Sequence, residues 1–127
     1  MIKFTIPVVP RTKKNSSTIR IYNSRPKLIP SEQYRQFEQE CCLLIPSKYK
    51  LNIDYPVNIK AIYYVKRNAR IDITNLESAL MDTLVKANVL ADDSALKPRI
   101  VVSTDGSRVY YDKDNPRIEV EITRVNE

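Results

Sequence analysis

Between Val57 and Ala87 the hydrophobic period of the chain changes from two residues to about three and a half. Val57, Ile59, Ala61, Tyr63 and Val65 alternate with Asn58, Lys60, Ile62 and Tyr64, which predicts a strand with one apolar face. Ile62 and Tyr64 on the second face predict that this strand is covered on both sides or lies near another subunit. Leu76, Ala79, Leu80, Thr83, Leu84 and Ala87 then share one face of a helix. Thr74 followed by Glu77 is a capping-box pattern, so Thr74 is the expected N-cap and Asn75 the first helical residue, with Asn88 as the C-terminal stop. Asp72 then lies just outside the helix start, and Asp92 and Asp93 lie a few residues past its end.

The other elements attach to this strand and helix. Ile2, Phe4, Ile6 and Val8 alternate with polar residues as a half-buried strand, and Pro7 places it at an edge or an unpaired position. Thr18 to Tyr22 and Arg25 to Ile29 read as two short strands around Asn23-Ser24. Ser31 caps a helix whose apolar stripe is Tyr34, Phe37, Cys41 and Leu44, whose solvated face carries Glu32, Glu38 and Glu40, and which Pro46 ends. Arg99 to Thr104 and Arg108 to Tyr111 read as strands around Asp105-Gly106-Ser107, where the only glycine marks a turn. Ile118, Val120 and Ile122 alternate with Glu119 and Glu121 in a last strand. The expected fold is α/β (α+β), a mixed sheet with two principal helices in a single domain over residues 1–127.

Composition narrows the chemistry. There is no histidine, so histidine acid–base and triad catalysis are excluded. The two cysteines, Cys41 and Cys42, are adjacent in a helix and make neither a disulfide nor a zinc site. Catalysis by this chain would rest on carboxylates, lysine, tyrosine or a hard metal ion. No apolar run approaches the ~18 residues of a membrane span, and the N-terminus does not read as a signal peptide, so the expectation is a cytoplasmic protein with no membrane partner. The net charge of +6 is concentrated: residues 1–31 hold seven basic side chains and no acidic one, whereas the rest holds 14 basic and 15 acidic. That distribution fits a surface for a polyanion, with nucleic acid the leading partner; a solubilising basic face is the plainer alternative.

Asp72, Asp92 and Asp93 flank one helix. Converging carboxylates repel and call for a cation between them, and Mg2+ takes hard oxygen ligands. Beside a phosphodiester such an ion assists hydrolysis. Separately, Asp72 could neutralise the positive helix end and Asp92-Asp93 could form a turn. A helix from Asn75 to Ala87 is roughly 20 Å long. Residues 89–93 span about 17 Å when extended. Asp93 therefore reaches Asp72 only if the chain doubles back along the helix; otherwise the groups meet across a dimer or do not meet. Asp82 suits an i, i+4 pair with Lys86. Tyr63, Tyr64, Tyr110 and Tyr111 could stack on unpaired bases or serve as packing residues.

The run from Arg70-Ile-Asp72-Ile-Thr-Asn75-Leu76 through Asp82, Leu84 and Lys86-Ala87 to Asp92-Asp93-Ser94 resembles the core motif of the RusA family of Holliday-junction resolvases, bacterial and often prophage-borne. The likeness extends to the Pro-x-x-Pro-Arg-x-Lys-Lys-Asn loop, the Ser31-Glu-Gln-Tyr34-Arg helix start and the closing Asn115-Pro-Arg-Ile-Glu-Val-Glu-Ile122 strand, and so covers most of the chain. It implies a homodimeric, Mg2+-dependent (or Mn2+-dependent) endonuclease that nicks four-way DNA junctions in recombination and repair. It also implies catalytic and metal-binding roles for Asp72 and Asp93, with Asp92 beside them. The chain departs from the family pattern at two positions. Thr74 stands where the family has a third aspartate, and Ser78 where it has a lysine. Thr74 and Asn75 are then neutral oxygen donors to a metal, with Glu77 a further oxygen ligand. Arg67, Arg70 and the loop residues Arg11, Lys13 and Lys14 are the expected phosphate contacts. A non-catalytic DNA- or RNA-binding module using the same basic surface is the competing reading, and a nuclease acting mainly on RNA is a third.

Overall fold

The computed structural model describes residues 1–12, 17–22, 25–30, 32–68, 70–92 and 100–125, with the backbone alone for 17–22 and 26–30. Seven strands, β1 (Ile2–Ile6), β2 (Ser17–Tyr22), β3 (Arg25–Pro30), β4 (Val57–Val65), β5 (Val101–Ser103), β6 (Arg108–Tyr111) and β7 (Arg117–Arg124), accompany two helices, α1 (Glu32–Leu44) and α2 (Ile73–Lys86). β2 and β3 pair with each other as a separate antiparallel ribbon. The remaining five strands form one mixed sheet in which β4 is central. β7 lies antiparallel to β4 along one edge, and β1 lies antiparallel to β7 beyond it. β5 and β6 both run parallel to β4. The fold is the expected mixed α+β arrangement. No helix among the described residues is long and apolar enough to cross a membrane.

The core lies between one sheet face and the two helices. β4 contributes all five of its odd-numbered side chains from Val57 to Val65, each 4% exposed or less, and β7 contributes Ile118, Val120 and Ile122. From α2 come Leu76, Ala79, Leu80, Thr83, Leu84 and Ala87, all buried, so the helical period places the whole predicted stripe inward. Each fully buried leucine contributes about 1.5–3 kcal/mol of transfer free energy. β1 ends at Ile6, which leaves Pro7 outside the ladder as its missing amide requires.

The structure departs from the sequence reading in α1. Leu44 is 44% exposed, and the last apolar position is filled by Ile45 at 1%. Glu38, expected on the solvated face, is buried at 7% because α1 packs against α2, where Lys86 Nζ lies 3.3 Å from its Oε1. Lys86 therefore bridges two helices, a contact that the expected i, i+4 pairing with Asp82 does not capture. Ser31, the expected cap, lies outside the described residues.

A second difference is at the glycine turn. The expected turn is present at Asp105-Gly106, but the two strands it joins do not pair with each other: β5 and β6 are two pieces of one edge, both parallel to β4, and between Ser103 and Arg108 that edge carries one residue more than β4 does between Asn58 and Ile62. Side chains replace the ladder there. Asn58 Oδ1 accepts from the Asp105 amide at 2.8 Å and from Ser103 Oγ at 2.6 Å. Ser107 Oγ accepts from the Ala61 amide at 3.0 Å and donates to the Ile59 carbonyl at 3.4 Å. Gly106 sits at φ +90°, and a Cβ on it would stand 3.1 Å from Lys60 Cδ. The turn signal was real, but its geometry is that of a bulge along a parallel edge, not a reversal.

Candidate active site

α2 begins where the loop from β4 ends. Between them Lys66, Arg67 and Arg70 are exposed. The N-cap is Asp72, not Thr74: its backbone is extended, with φ −73° and ψ 119°, and its Oδ1 accepts from the Thr74 amide at 2.9 Å. The Asp72 carbonyl receives the Asn75 and Leu76 amides at 3.1 and 3.3 Å, so the first turn starts two residues earlier than the capping-box pattern predicts. Glu77 does not reach back to close such a box. Its Oε2 instead accepts from Thr104 Oγ1 at 3.4 Å, in the bulge after β5. Asp72 is thus an exposed carboxylate held by one oxygen at the positive end of a helix. Thr74 is exposed beside it and Asn75 is half-buried.

The far end of α2 closes as the asparagine predicts. Asn88 takes φ 64°, and the Val89 and Leu90 amides return to the Leu84 carbonyl at 2.9 and 3.3 Å. The chain then pairs beside Ile53, where the Ala91 amide donates to the Ile53 carbonyl at 2.8 Å, and Asp92 follows, exposed. Asp72 caps the start of the 14-residue α2, and Asp92 follows the turn at Asn88 on a segment that comes back beside the helix, where Leu90 and Ala91 line one groove with Thr74, Ser78 and Asp82. No group of three His, Cys, Asp or Glu side chains that could hold a metal occurs among the described residues. One carboxylate with neutral Thr74 and Asn75 is a thin donor set for a hard divalent cation, which calls for a second carboxylate. Asp93, Lys13 and Lys14 lie outside the described residues. Arg11 is within them, exposed, just past β1.

A groove of about 470 Å³ runs along α2 and β5, with Thr74, Glu77, Ser78, Asp82, Ser103 and Thr104 among its polar walls. It begins next to Asp72. Burial raises the Glu77 carboxyl above its ordinary pKa, and the Thr104 hydroxyl partly offsets this. The signal for this groove was present in the sequence: Thr74, Ser78 and Asp82 recur at helical spacing on the face opposite the leucines. The sequence reading treated Asp82 as an ion-pair partner and did not see that Glu77 and Ser78 share its wall.

The four tyrosines separate. Tyr63 is fully buried in the core, whereas Tyr64, Tyr110 and Tyr111 are half-buried or exposed at the end of the sheet from which the basic loop leaves. Arg117, which the sequence reading did not single out, lies over the Tyr64 ring, 3.6 Å from its centroid.

The fold and site define the general class: a mixed α+β domain in which a basic loop leads into a helix capped by an aspartate. The chain belongs to the RusA family: the model of that family, endodeoxyribonuclease RusA, matches residues 7–123 of the 127. Members of the family are Holliday-junction resolvases, DNA endonucleases that generally need a divalent metal. A search of the curated proteins found no match.

Proposed function

We propose that this chain is a Mg2+-dependent resolvase that cleaves four-way DNA junctions as a homodimer in recombination and repair. The observation that carries the reading is the family match over nearly the whole chain, which spans Asp72, Asn75, Asp92 and Asp93. Asp72 and Asp93 are the acidic ligands of this proposal, Asp92 stands beside them, and Thr74 and Asn75 add neutral oxygens. When bound there, a divalent cation would polarise the phosphoryl oxygen and offset the charge that develops on it.

The chain's own contribution is positioning. The helix cap holds the Asp72 carboxylate through one oxygen and leaves the other for a ligand. Arg67 and Arg70, exposed in the loop just before it, bind the phosphates that flank the scissile bond, and Arg11, Lys13 and Lys14 are further phosphate contacts of this proposal. The return of the chain beside α2 after Asn88 supports completion of the site by Asp93 within one chain, and the second subunit is the alternative. Two-fold symmetry would then present two sites to the two strands of a symmetric junction.

A binding module without hydrolysis is the second reading. It is favoured by Thr74 and Ser78, which replace a carboxylate and a lysine of the family pattern.

Asp93→Asn separates the two. It removes one negative charge and keeps size and turn-forming ability. The resolvase reading expects cleavage to be lost and junction binding to be kept or tightened, because a charge facing phosphate is gone. Normal Mg2+-dependent cleavage by this variant would sink the metal-site assignment.

A further inference from the structure

β4, β6 and β7 bring three side chains into one row on the sheet face away from the core. Tyr64 pairs in register with Tyr110 on one side and with Arg117 on the other. The two tyrosine rings lie with centroids 5.7 Å apart at 33°, and the Arg117 guanidinium covers Tyr64. Arg117 is itself fixed from two directions. Its Nη1 is 3.0 Å from Asp112 Oδ2, and its Nε is 3.1 Å from Glu119 Oε2. The row therefore has one end closed by a tethered cation. Among the described residues its other end is open, because β6 is an edge strand and Tyr110 is 51% exposed there. Tyr111, the next residue on the same edge, is 52% exposed.

Single exposed aromatics are ordinary on protein surfaces, but this one ends a row of packed rings, tilted 33° to its neighbour, and has cations close in sequence to the paired strand end. Tyr111 pairs with Val65, the last residue of β4. Lys66 and Arg67 follow at once, and Arg70 comes three residues later, all exposed. Lys113 is exposed in the turn after β6. Of the acidic groups at this end, Asp112 and Glu119 are engaged by Arg117, which leaves Asp114 and Asp72 facing solvent.

We infer that Tyr110 is a base-stacking platform. An unpaired nucleobase lies on its open face and extends the Arg117–Tyr64–Tyr110 row by one layer, while Lys66, Arg67 and Arg70 take the adjoining phosphates. The inference rests on the proposed function for its ligand class, nucleic acid, and adds what that reading lacks: a feature that distinguishes unpaired bases from intact duplex. Every base has a π face, so the platform is indifferent to sequence. A base inside a duplex already has both faces covered and gains nothing from it.

The probe is a thymidine oligonucleotide carrying one iododeoxyuridine and an end label. Anisotropy gives its affinity for the full chain, and long-wave irradiation joins the iodinated base to the ring on which it stacks. Tyr110→Leu should weaken binding of this probe on the order of tenfold, and Tyr110→Phe should keep it within about twofold, because the ring carries the contact. Binding of a blunt duplex should be the same for all three proteins. Peptide mapping of the crosslinked parent protein should place the adduct on Tyr110, and this needs no variant to fold. An adduct only elsewhere, no binding of the probe, or a Tyr110→Leu protein that binds it like the parent would overturn the inference. Junction cleavage by the parent, measured beside this, keeps the two readings apart. Cleavage by the parent together with a Tyr110→Leu protein that binds the probe like the parent refutes the platform alone, and an adduct on Tyr110 without any cleavage refutes the nuclease alone.

Discussion

Replacing Asp72 in two ways separates the two tasks given to it. The side chain caps α2 through Oδ1 and the Thr74 amide, and it carries the negative charge assigned to catalysis. Alanine removes both. Losing an aspartate N-cap costs about 1 kcal/mol, and losing its charge from the helix end costs about 0.3–1 kcal/mol more. At ~2.1 cal/mol/K per residue the unfolding entropy of this chain is roughly 270 cal/mol/K, so each kcal/mol moves Tm by about 4 °C. Asp72→Ala should therefore lower Tm by about 5–8 °C. Asparagine is an equal N-cap and loses only the charge, so Asp72→Asn should lower Tm by about 1–4 °C. Both variants should lose junction cleavage, since neither can offer a carboxylate. Scanning calorimetry and a labelled-junction assay read the two effects from the same preparations. An Asp72→Asn protein that cleaves like the parent would refute the catalytic role. One that melts as early as the alanine variant would refute the claim that capping and charge are separable.

Three other outcomes can be checked directly. The Tyr63 hydroxyl is buried without a hydrogen-bond partner among the described residues, and burial pushes its pKa well above the ordinary phenol value; Tyr63→Phe should therefore raise stability by about 1 kcal/mol in denaturant melts, and a loss would show that the hydroxyl is satisfied. Thr74→Asp places a carboxylate in the first turn of α2, where negative charge is favourable, and should tighten Mg2+ binding in calorimetric titration without lowering Tm; unchanged metal affinity would remove Thr74 from the site. Lys13→Ala with Lys14→Ala should weaken binding to every DNA form and flatten its salt dependence, whereas an unchanged salt slope would move the phosphate contacts elsewhere.

Elements whose side chains alternate or recur with one clear period were legible from the chain alone. β4, β7 and the buried face of α2 match their patterns because burial on one side is what writes such patterns. What stayed hidden depended on partners distant in sequence. Glu38 looks solvated until α2 brings Lys86 to it, and Glu77 looks like a capping residue until the bulge brings Thr104. Gly106 announces a turn, but only the parallel pairing of β5 and β6 with β4 makes it a bulge. The cap moved from Thr74 to Asp72 because both residue types cap helices, and backbone geometry decides between them. The Arg117–Tyr64–Tyr110 row is assembled by cross-strand register, which no local spacing encodes. The motif aspartates were visible as a motif, but the cap role of Asp72 depends on the backbone geometry at the start of α2.

The central claim is that this chain hydrolyses branched DNA with the help of a metal. Purified protein is incubated with an end-labelled four-way junction, a matched duplex and a single strand, each with Mg2+, with Mn2+ and with chelator, and the products are resolved on a denaturing gel. The account predicts paired nicks in the junction that require the divalent ion, with duplex and single strand left largely intact. No cleavage of any of the three under either metal, with the junction still bound, would contradict it and make the chain a binding module.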